Sequence, residues 1–145
     1  MQRYPVNNIN TVFDANINRV KEGLRVCEEI TRFIFKSRAL TSELKNCRHR
    51  IDNIIKKIPS SAKFLMMRQS SHDVGKNIYI NELRRRGLQD IFFANIQRVK
   101  ESVRVLEEFS KLKSKDCAIA FKNLRYRIYG IEKKAAKKIS ALSNP

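Results

Sequence analysis

Glycine and proline are scarce: this chain holds four Gly and three Pro in 145 residues. An all-β fold needs turn residues between its many strands, so the scarcity argues against one and makes helices the default. The N-terminus lacks the apolar core of a signal peptide, and no segment approaches the roughly 18 apolar residues of a membrane span. Those absences predict a soluble, cytoplasmic protein. Three cysteines, Cys27, Cys47 and Cys117, are odd in number and without Cys-x-x-Cys spacing. They form no disulfide framework and read as reduced core residues. Gly-x-x-x-x-Gly-Lys-Ser/Thr and Gly-x-Gly-x-x-Gly are both missing, so a nucleotide would have to bind in an unrelated mode. His49 and His72 have no paired metal-ligand spacing. Ser71-His72-Asp73 is no catalytic triad, because adjacent side chains do not converge in that way.

Negative charge is scarce as well. Fourteen Asp and Glu face 31 Lys and Arg, a net charge of +17. The excess predicts attraction to polyanions, whether nucleic acid, anionic lipid or phosphorylated metabolites. Many of the cations are lysines scattered along helix faces and in residues 133–138, a pattern that reads as solvated surface. A hydrophobic fraction of 42% suits one globular domain with one core at this length.

What the chain does have is a repeat. Phe13-Asp-Ala-Asn-Ile-Asn-Arg-Val-Lys-Glu-Gly-Leu-Arg-Val-Cys-Glu-Glu29 returns as Phe92-Phe-Ala-Asn-Ile-Gln-Arg-Val-Lys-Glu-Ser-Val-Arg-Val-Leu-Glu-Glu108. Twelve of the 22 positions in 12–33 recur identically in 91–112, at an offset of 79. A second set, Lys45-Asn46, Arg48, Arg50-Ile51, Ile54 and Lys56-Lys57, returns as Lys122-Asn123, Arg125, Arg127-Ile128, Ile131 and Lys133-Lys134, offset by 77. The repeating unit is therefore a pair of segments. Cys27 and Cys47 stand where the other copy has Leu106 and Leu124, which supports a packing role.

Phe13, Ile17, Val20, Leu24, Cys27 and Ile34 step by three, four or seven, the spacing of one helical face. Thr11-Val-Phe-Asp14 has the form of a capping box and predicts a helix start near residue 11. A connection near 37–39 leads to a second helix over about 41–57, stopped by Pro59. Residues 58–78 lack periodicity, carry Ser pairs and Gly75, and predict a long loop. A helical turn at 81–86, a third helix over 88–112 and a fourth over 116–142 follow, with Gly130 as a soft point. Two related hairpins can bury their apolar stripes against each other across a pseudo-twofold axis. The expectation is an all-α four-helix bundle in one domain, with repeat one over 11–58, a connection over 59–87 and repeat two over 88–142.

On a helical projection Asn16, Arg19 and Gly23 fall inside the arc framed by Val26, Cys27 and Ile30, and Asn95, Arg98 and Ser102 repeat them. A guanidinium facing a core needs a carboxylate or a ligand, so Arg19 and Arg98 imply either internal salt bridges or a binding site. Glu22, Glu29, Glu101 and Glu108 flank the same helices. They fit ordinary helix ion pairs, or a Mg²⁺ site near the axis. Arg48-His49-Arg50 and Arg125-Tyr126-Arg127 are either solvated or suited to phosphate. The loop motif Arg68-Gln-Ser-Ser-His-Asp-Val-Gly-Lys76 is able to wrap a phosphate through backbone N–H groups and Lys76.

The segments at 14–26, Leu44-Lys-Asn-Cys-Arg-His-Arg50, Asp73-Val-Gly75 and 94–108 resemble the alternative hydroxymethylpyrimidine phosphate kinase family. That helical domain is often fused ahead of thiamine phosphate synthase, also called thiamine-phosphate pyrophosphorylase. The likeness covers about residues 8–113. It implies phosphorylation of hydroxymethylpyrimidine phosphate by ATP with Mg²⁺ in thiamine biosynthesis. It further implies that Arg19, Arg98 and Arg68 supply charge to the reaction, and that Glu22, Glu101 and Asp73 hold the metal. Asn16, Asn95, Arg25, Arg104, Arg48, Gly75 and Lys76 would bind substrate; Lys76 stands where the family commonly has Thr. A (β/α)₈ barrel takes on the order of 250 residues, so this chain does not itself hold the synthase. Partners would be the phosphorylated pyrimidine and ATP, with thiamine phosphate synthase and a second copy of the chain as further expectations. Two other readings stand beside the kinase: a non-catalytic partner of the synthase, and a basic nucleic-acid-binding module.

Overall fold

The computed structural model describes residues 6–68, 70–77 and 80–143 and is all-helical over them. Its elements are α1 (Val6–Glu29), α2 (Arg38–Lys57), α3 (Ile80–Leu83), α4 (Leu88–Ser110) and α5 (Lys115–Ser143). Gln69 of the loop motif and residues 78–79 of the expected connection lie outside the described residues. Each long helix packs on two others: α1 on α2 and α4, and α5 on the same two. That closed ring is a four-helix bundle. Phe13, Val20, Leu24 and Cys27 from α1 share one core with Phe92, Ile96, Val99 and Leu106 from α4, Leu44 and Ile51 from α2, and Phe121 and Ile128 from α5. Among the described residues no helix is long and apolar enough to cross a membrane.

Several boundaries differ from the sequence expectation. α1 begins at Val6, so Thr11 is no cap but sits one turn inside the helix. Its hydroxyl instead donates to the Met67 carbonyl at 3.0 Å. α2 begins at Arg38, not residue 41, because Ser37 Oγ accepts from the Leu40 N–H at 3.3 Å and caps it there. α1 passes at its end into a π-helical turn, Ile30–Ile34. The aperiodic stretch after α2 forms three short 3₁₀ turns, at Ser61–Lys63, Leu65–Met67 and Ser70–His72. α5 runs through Gly130 without a break, and a side chain there would meet open space.

The α1–α4 contact is the closest in the bundle. A Cβ at Gly23 would lie 2.6 Å from Val99 Cγ2 and 3.1 Å from the Asn95 carbonyl oxygen. Cys27 Sγ approaches the Phe92 carbonyl at 3.7 Å, so contacts run backward along α4 and the two helices are antiparallel. Burial pushes the Cys27 thiol up to about 12 and the Cys47 thiol up to about 11. All three cysteines are free and buried, as packing residues should be.

The hairpins are locked by ion pairs at sequence-equivalent positions. Glu28, 3% exposed, accepts from Arg48 Nε at 2.6 Å and Nη2 at 3.1 Å. Glu107, 4% exposed, accepts from Arg125 Nε at 3.1 Å and Nη2 at 3.0 Å. Each couples the first helix of a hairpin to its second. The bond to Glu28 holds the Arg48 guanidinium above its ordinary range.

One further equivalence is broken. Thr31 bonds Thr41 through their hydroxyls at 3.0 Å, whereas Ser110, at the position equivalent to Thr31, has a buried Oγ without a partner among the described residues, and Ala118 stands at the position equivalent to Thr41. Ala118→Ser should supply that partner and add about 1 kcal/mol, raising Tm by about 2–4 °C in thermal unfolding. Gly23→Ala should act in the opposite sense, because overpacking costs about 1–3 kcal/mol against a helix-propensity gain of about 1. Adding Val99→Ala should relieve the clash and give a favourable coupling in a double-mutant cycle.

Candidate functional site

Phe64 anchors the loop on the bundle. Its ring, 3% exposed, stacks on Phe13 of α1 with centroids 4.9 Å apart and planes 3° from parallel. From that anchor the chain runs along the N-terminal half of α1. Thr11, Asp14 and Asn18 share one face of the helix, at i, i+3 and i+7. Thr11 holds the Met67 carbonyl. Asp14, 7% exposed, takes Arg68 in a two-pronged bond, from Nε at 2.8 Å and Nη2 at 2.9 Å. Asn18 Nδ2 bonds the Asp14 carbonyl at 3.0 Å and approaches Oδ1 at 3.4 Å, completing the carboxylate's surroundings.

Between helix and loop lies a cleft of about 680 Å³. Asn16 and Arg19 line it from α1, and Arg68, Ser70, His72 and Asp73 from the loop. Arg19 Nη1 reaches Asn16 Oδ1 at 3.4 Å, and Asn16 Nδ2 donates to the Val12 carbonyl at 2.9 Å. The hydrogen bond to Asp14, with the nearby charges of Asp14 and Glu22, raises Arg68 above its ordinary range. Two permanent cations, three amides and two carboxylates, of which Asp14 is already bonded to Arg68, thus border one cavity. That set recognises an anion with a polar edge, such as a phosphorylated ring.

Four of the sequence-predicted residues, Asn16, Arg19, Arg68 and Asp73, meet at this cleft. Arg19 and Arg98, however, are exposed rather than core-facing. Each lies about 60° from its Asn around the helix, so the guanidinium leaves the buried stripe and reaches solvent. Asn16 and Ser102 are buried as the projection expects. Asn95 is half-buried at the Gly23 contact, donates to the Ile91 carbonyl at 2.8 Å and, like Arg98, does not line the cleft.

Arg48 is held by Glu28 through Nε and Nη2 and does not line the cleft. Arg104 is similarly engaged by Glu107 at 2.7 Å and Glu108 at 3.1 Å. It lines a second cleft of about 450 Å³ with Glu101, Lys100, Arg125 and Tyr129. Arg25 is exposed on α1 and lines neither cleft. Gly75 N–H is taken by Asp73 Oδ1 at 2.8 Å, and Lys76 Nζ by the Ser71 carbonyl at 3.0 Å, so the loop satisfies these donors internally. Glu22, Glu101 and Asp73 are not gathered: among the described residues no three His, Cys, Asp or Glu side chains stand together as a metal site. Asp73 has one oxygen engaged by Gly75 and borders the cleft beside the cations. One carboxylate of this kind fits Mg²⁺ only when phosphate oxygens complete the shell.

Sequence reasoning gave no site role to Asp14 or Phe64, the residues that place the loop. A signal existed for the first, since the repeat holds Phe93 where α1 has Asp14.

A single helical domain with an anion-suited cleft beside its first helix is the class these features define. The chain belongs to the ThiD2 family, whose model matches residues 11–134. It is 35% identical over 133 residues to thiamine-phosphate synthase of Synechocystis sp., covering 91% of this chain and 37% of that protein. It is 34% identical over 125 residues to the synthase of Thermosynechococcus vestitus, covering 86% and 34%. For the synthase of Rhodopirellula baltica the identity is 30% over 133 residues, covering 91% and 35%. The chain thus spans about a third of the length of the curated relatives it matches. No solved structure matches it significantly.

Asp14→Ala should free Arg68 and loosen the segment after Phe64 while leaving the bundle intact. Limited proteolysis should then cut within 65–77 severalfold faster than in the wild type, with helical circular dichroism unchanged. Equal cutting rates would show that Phe64 alone fixes the loop.

Proposed function

We propose that this chain is a phosphotransferase of thiamine biosynthesis that converts hydroxymethylpyrimidine phosphate to its diphosphate with ATP. A phosphate oxygen of the pyrimidine substrate attacks the γ-phosphorus of ATP; the bond from that phosphorus to the β–γ bridging oxygen breaks, and ADP leaves. The observation that carries this reading is the convergence of Arg19, Arg68, Asn16 and Asp73 on one cleft. The family membership and the naming of its relatives as thiamine-phosphate synthases support the pathway.

The acceptor is already anionic, so the reaction needs positioning and charge neutralisation more than a strong base. Arg68, fixed by Asp14, presents its guanidinium at the loop side of the cleft, and Arg19 presents a second from the helix. Asn16 offers an amide to the pyrimidine edge. Mg²⁺, when bound, would neutralise phosphate charge, with Asp73 as its protein ligand. The pyrimidine's polar edge and phosphate match the cleft's mixture of amide and cations.

Purified protein incubated with hydroxymethylpyrimidine phosphate, ATP and Mg²⁺ should yield the diphosphate. Arg68→Ala and Arg19→Ala should each lower turnover by about 10²-fold, the scale of a lost transition-state cation. Lys137→Ala on α5 should leave turnover unchanged. Absence of product from folded protein refutes the kinase. Pyrimidine binding without turnover would identify a non-catalytic partner of the synthase.

A further inference from the structure

The two hairpins differ in the length of their turns. Seven residues, 30–36, separate Glu29 from the cap Ser37, but only five, 109–113, separate Glu108 from Ser114. Ser114 is the equivalent cap, its Oγ accepting from the Cys117 N–H at 3.3 Å. The offset of the repeat falls from 79 to 77 for this reason. Both extra residues are absorbed in the first hairpin by the π-helical turn, in which Phe35 N bonds the Ile30 carbonyl at 3.0 Å, and by Lys36 in the left-handed region at φ 52°. The wide turn swings Arg32 and Lys36 to the side on which α2 carries Arg38 and Lys45. All four line a cleft of about 440 Å³ with the hydroxyl-bearing Thr41 and Ser42.

The balance of charge in this cleft is one-sided. Glu28 is its one acidic lining residue, and both of its oxygens are bonded to Arg48. None of the four cations has a carboxylate partner among the described residues. Arg32 rests on the Phe33 ring, 4.8 Å from its centroid, which leaves its N–H edges free. Four like charges in one concavity repel each other, and an anion with several charges relieves that repulsion. Arg19 and Arg32 are 13 residues apart along α1, roughly 20 Å, so this cleft is separate from the one beside Arg68.

We propose that the cleft at the π-turn is a second anion site, which takes a small phosphorylated ligand carrying at least two negative charges. It does not rest on the kinase reading. Its volume admits a small ligand that carries a diphosphate, and the hydroxyls of Thr41 and Ser42 add hydrogen-bonding groups to its lining.

Inorganic pyrophosphate titrated into the full chain at physiological salt, followed by amide NMR, tests the site. Saturable shifts are expected in residues 32–45. Arg32→Gln with Lys45→Gln should weaken that binding at least about tenfold, roughly 1.4 kcal/mol. Lys133→Gln with Lys137→Gln removes the same charge from α5 and should leave it unchanged. Lys36→Gly should raise Tm, since Gly adopts positive φ without strain, yet weaken pyrophosphate binding severalfold. Arg68→Gln should leave these shifts intact, whatever it does to phosphotransfer. Equal weakening by both double variants, or no shifts in 32–45, overturns the site. Tighter binding of a single-stranded oligonucleotide than of pyrophosphate to the same residues would overturn the small-ligand assignment in favour of a nucleic-acid surface.

Discussion

The buried pairing of Glu28 with Arg48, matched by Glu107 with Arg125, is the interaction on which the arrangement of the bundle depends. A carboxylate withdrawn from water is tolerated only when its lone pairs are met, and in each hairpin an arginine from the facing helix meets them. The pair fixes the register of one helix on the next in a way apolar contacts alone do not. Removing either partner leaves a charge stranded in the protein. Acids are few in this chain, and among the described residues seven of the 14 lie in ion pairs: Asp14, Glu28, Glu43, Asp52, Glu107, Glu108 and Glu132. Many of the remaining cations have no carboxylate partner among the described residues, and Arg32, Lys36, Arg38 and Lys45 gather in one concavity.

Against that common frame, a few unlike residues make the two halves behave differently. Asp14 holds Arg68 and with it the loop, whereas Phe93 at the equivalent position has no carboxylate to offer and lies on Phe92 with ring centroids 5.7 Å apart. Gly23 lets α4 come within contact of the α1 backbone; Ser102 at the matching place is buried. Two additional residues widen the first turn and collect Arg32 and Lys36. Anion-binding features therefore concentrate around α1, while Arg104 on α4, the counterpart of Arg25, is tied up in ion pairs with Glu107 and Glu108.

The bundle itself was legible in the periodicity. Phe13, Val20, Leu24 and Cys27 are buried where a helical stripe puts them, and the repeat implied paired hairpins. Of the site, Asn16, Arg19, Arg68 and Asp73 were legible as residue types and motif positions. Helix ends were read less well. Thr11 resembled a cap because capping boxes are local patterns, but its hydroxyl found a partner 56 residues away. Arg48 and Arg104 resembled phosphate ligands because a guanidinium looks the same whether its partner is a ligand or a carboxylate on another helix. Of the two Glu-Glu pairs, Glu29 and Glu108 were the members singled out from sequence, whereas the members that turn inward are Glu28 and Glu107.

Sequence alone determined the helical class, the duplicated pattern, the core stripe and the surplus of positive charge, since each follows from composition or from spacing along one chain. Tertiary structure decided which carboxylates are buried, which cations remain available and which loop residues border α1. Those outcomes depend on where a second helix or a distant turn comes to rest. A hydrogen bond such as Asp14–Arg68, between residues 54 apart, joins a loop and a helix that the stacking of Phe64 on Phe13 also holds together.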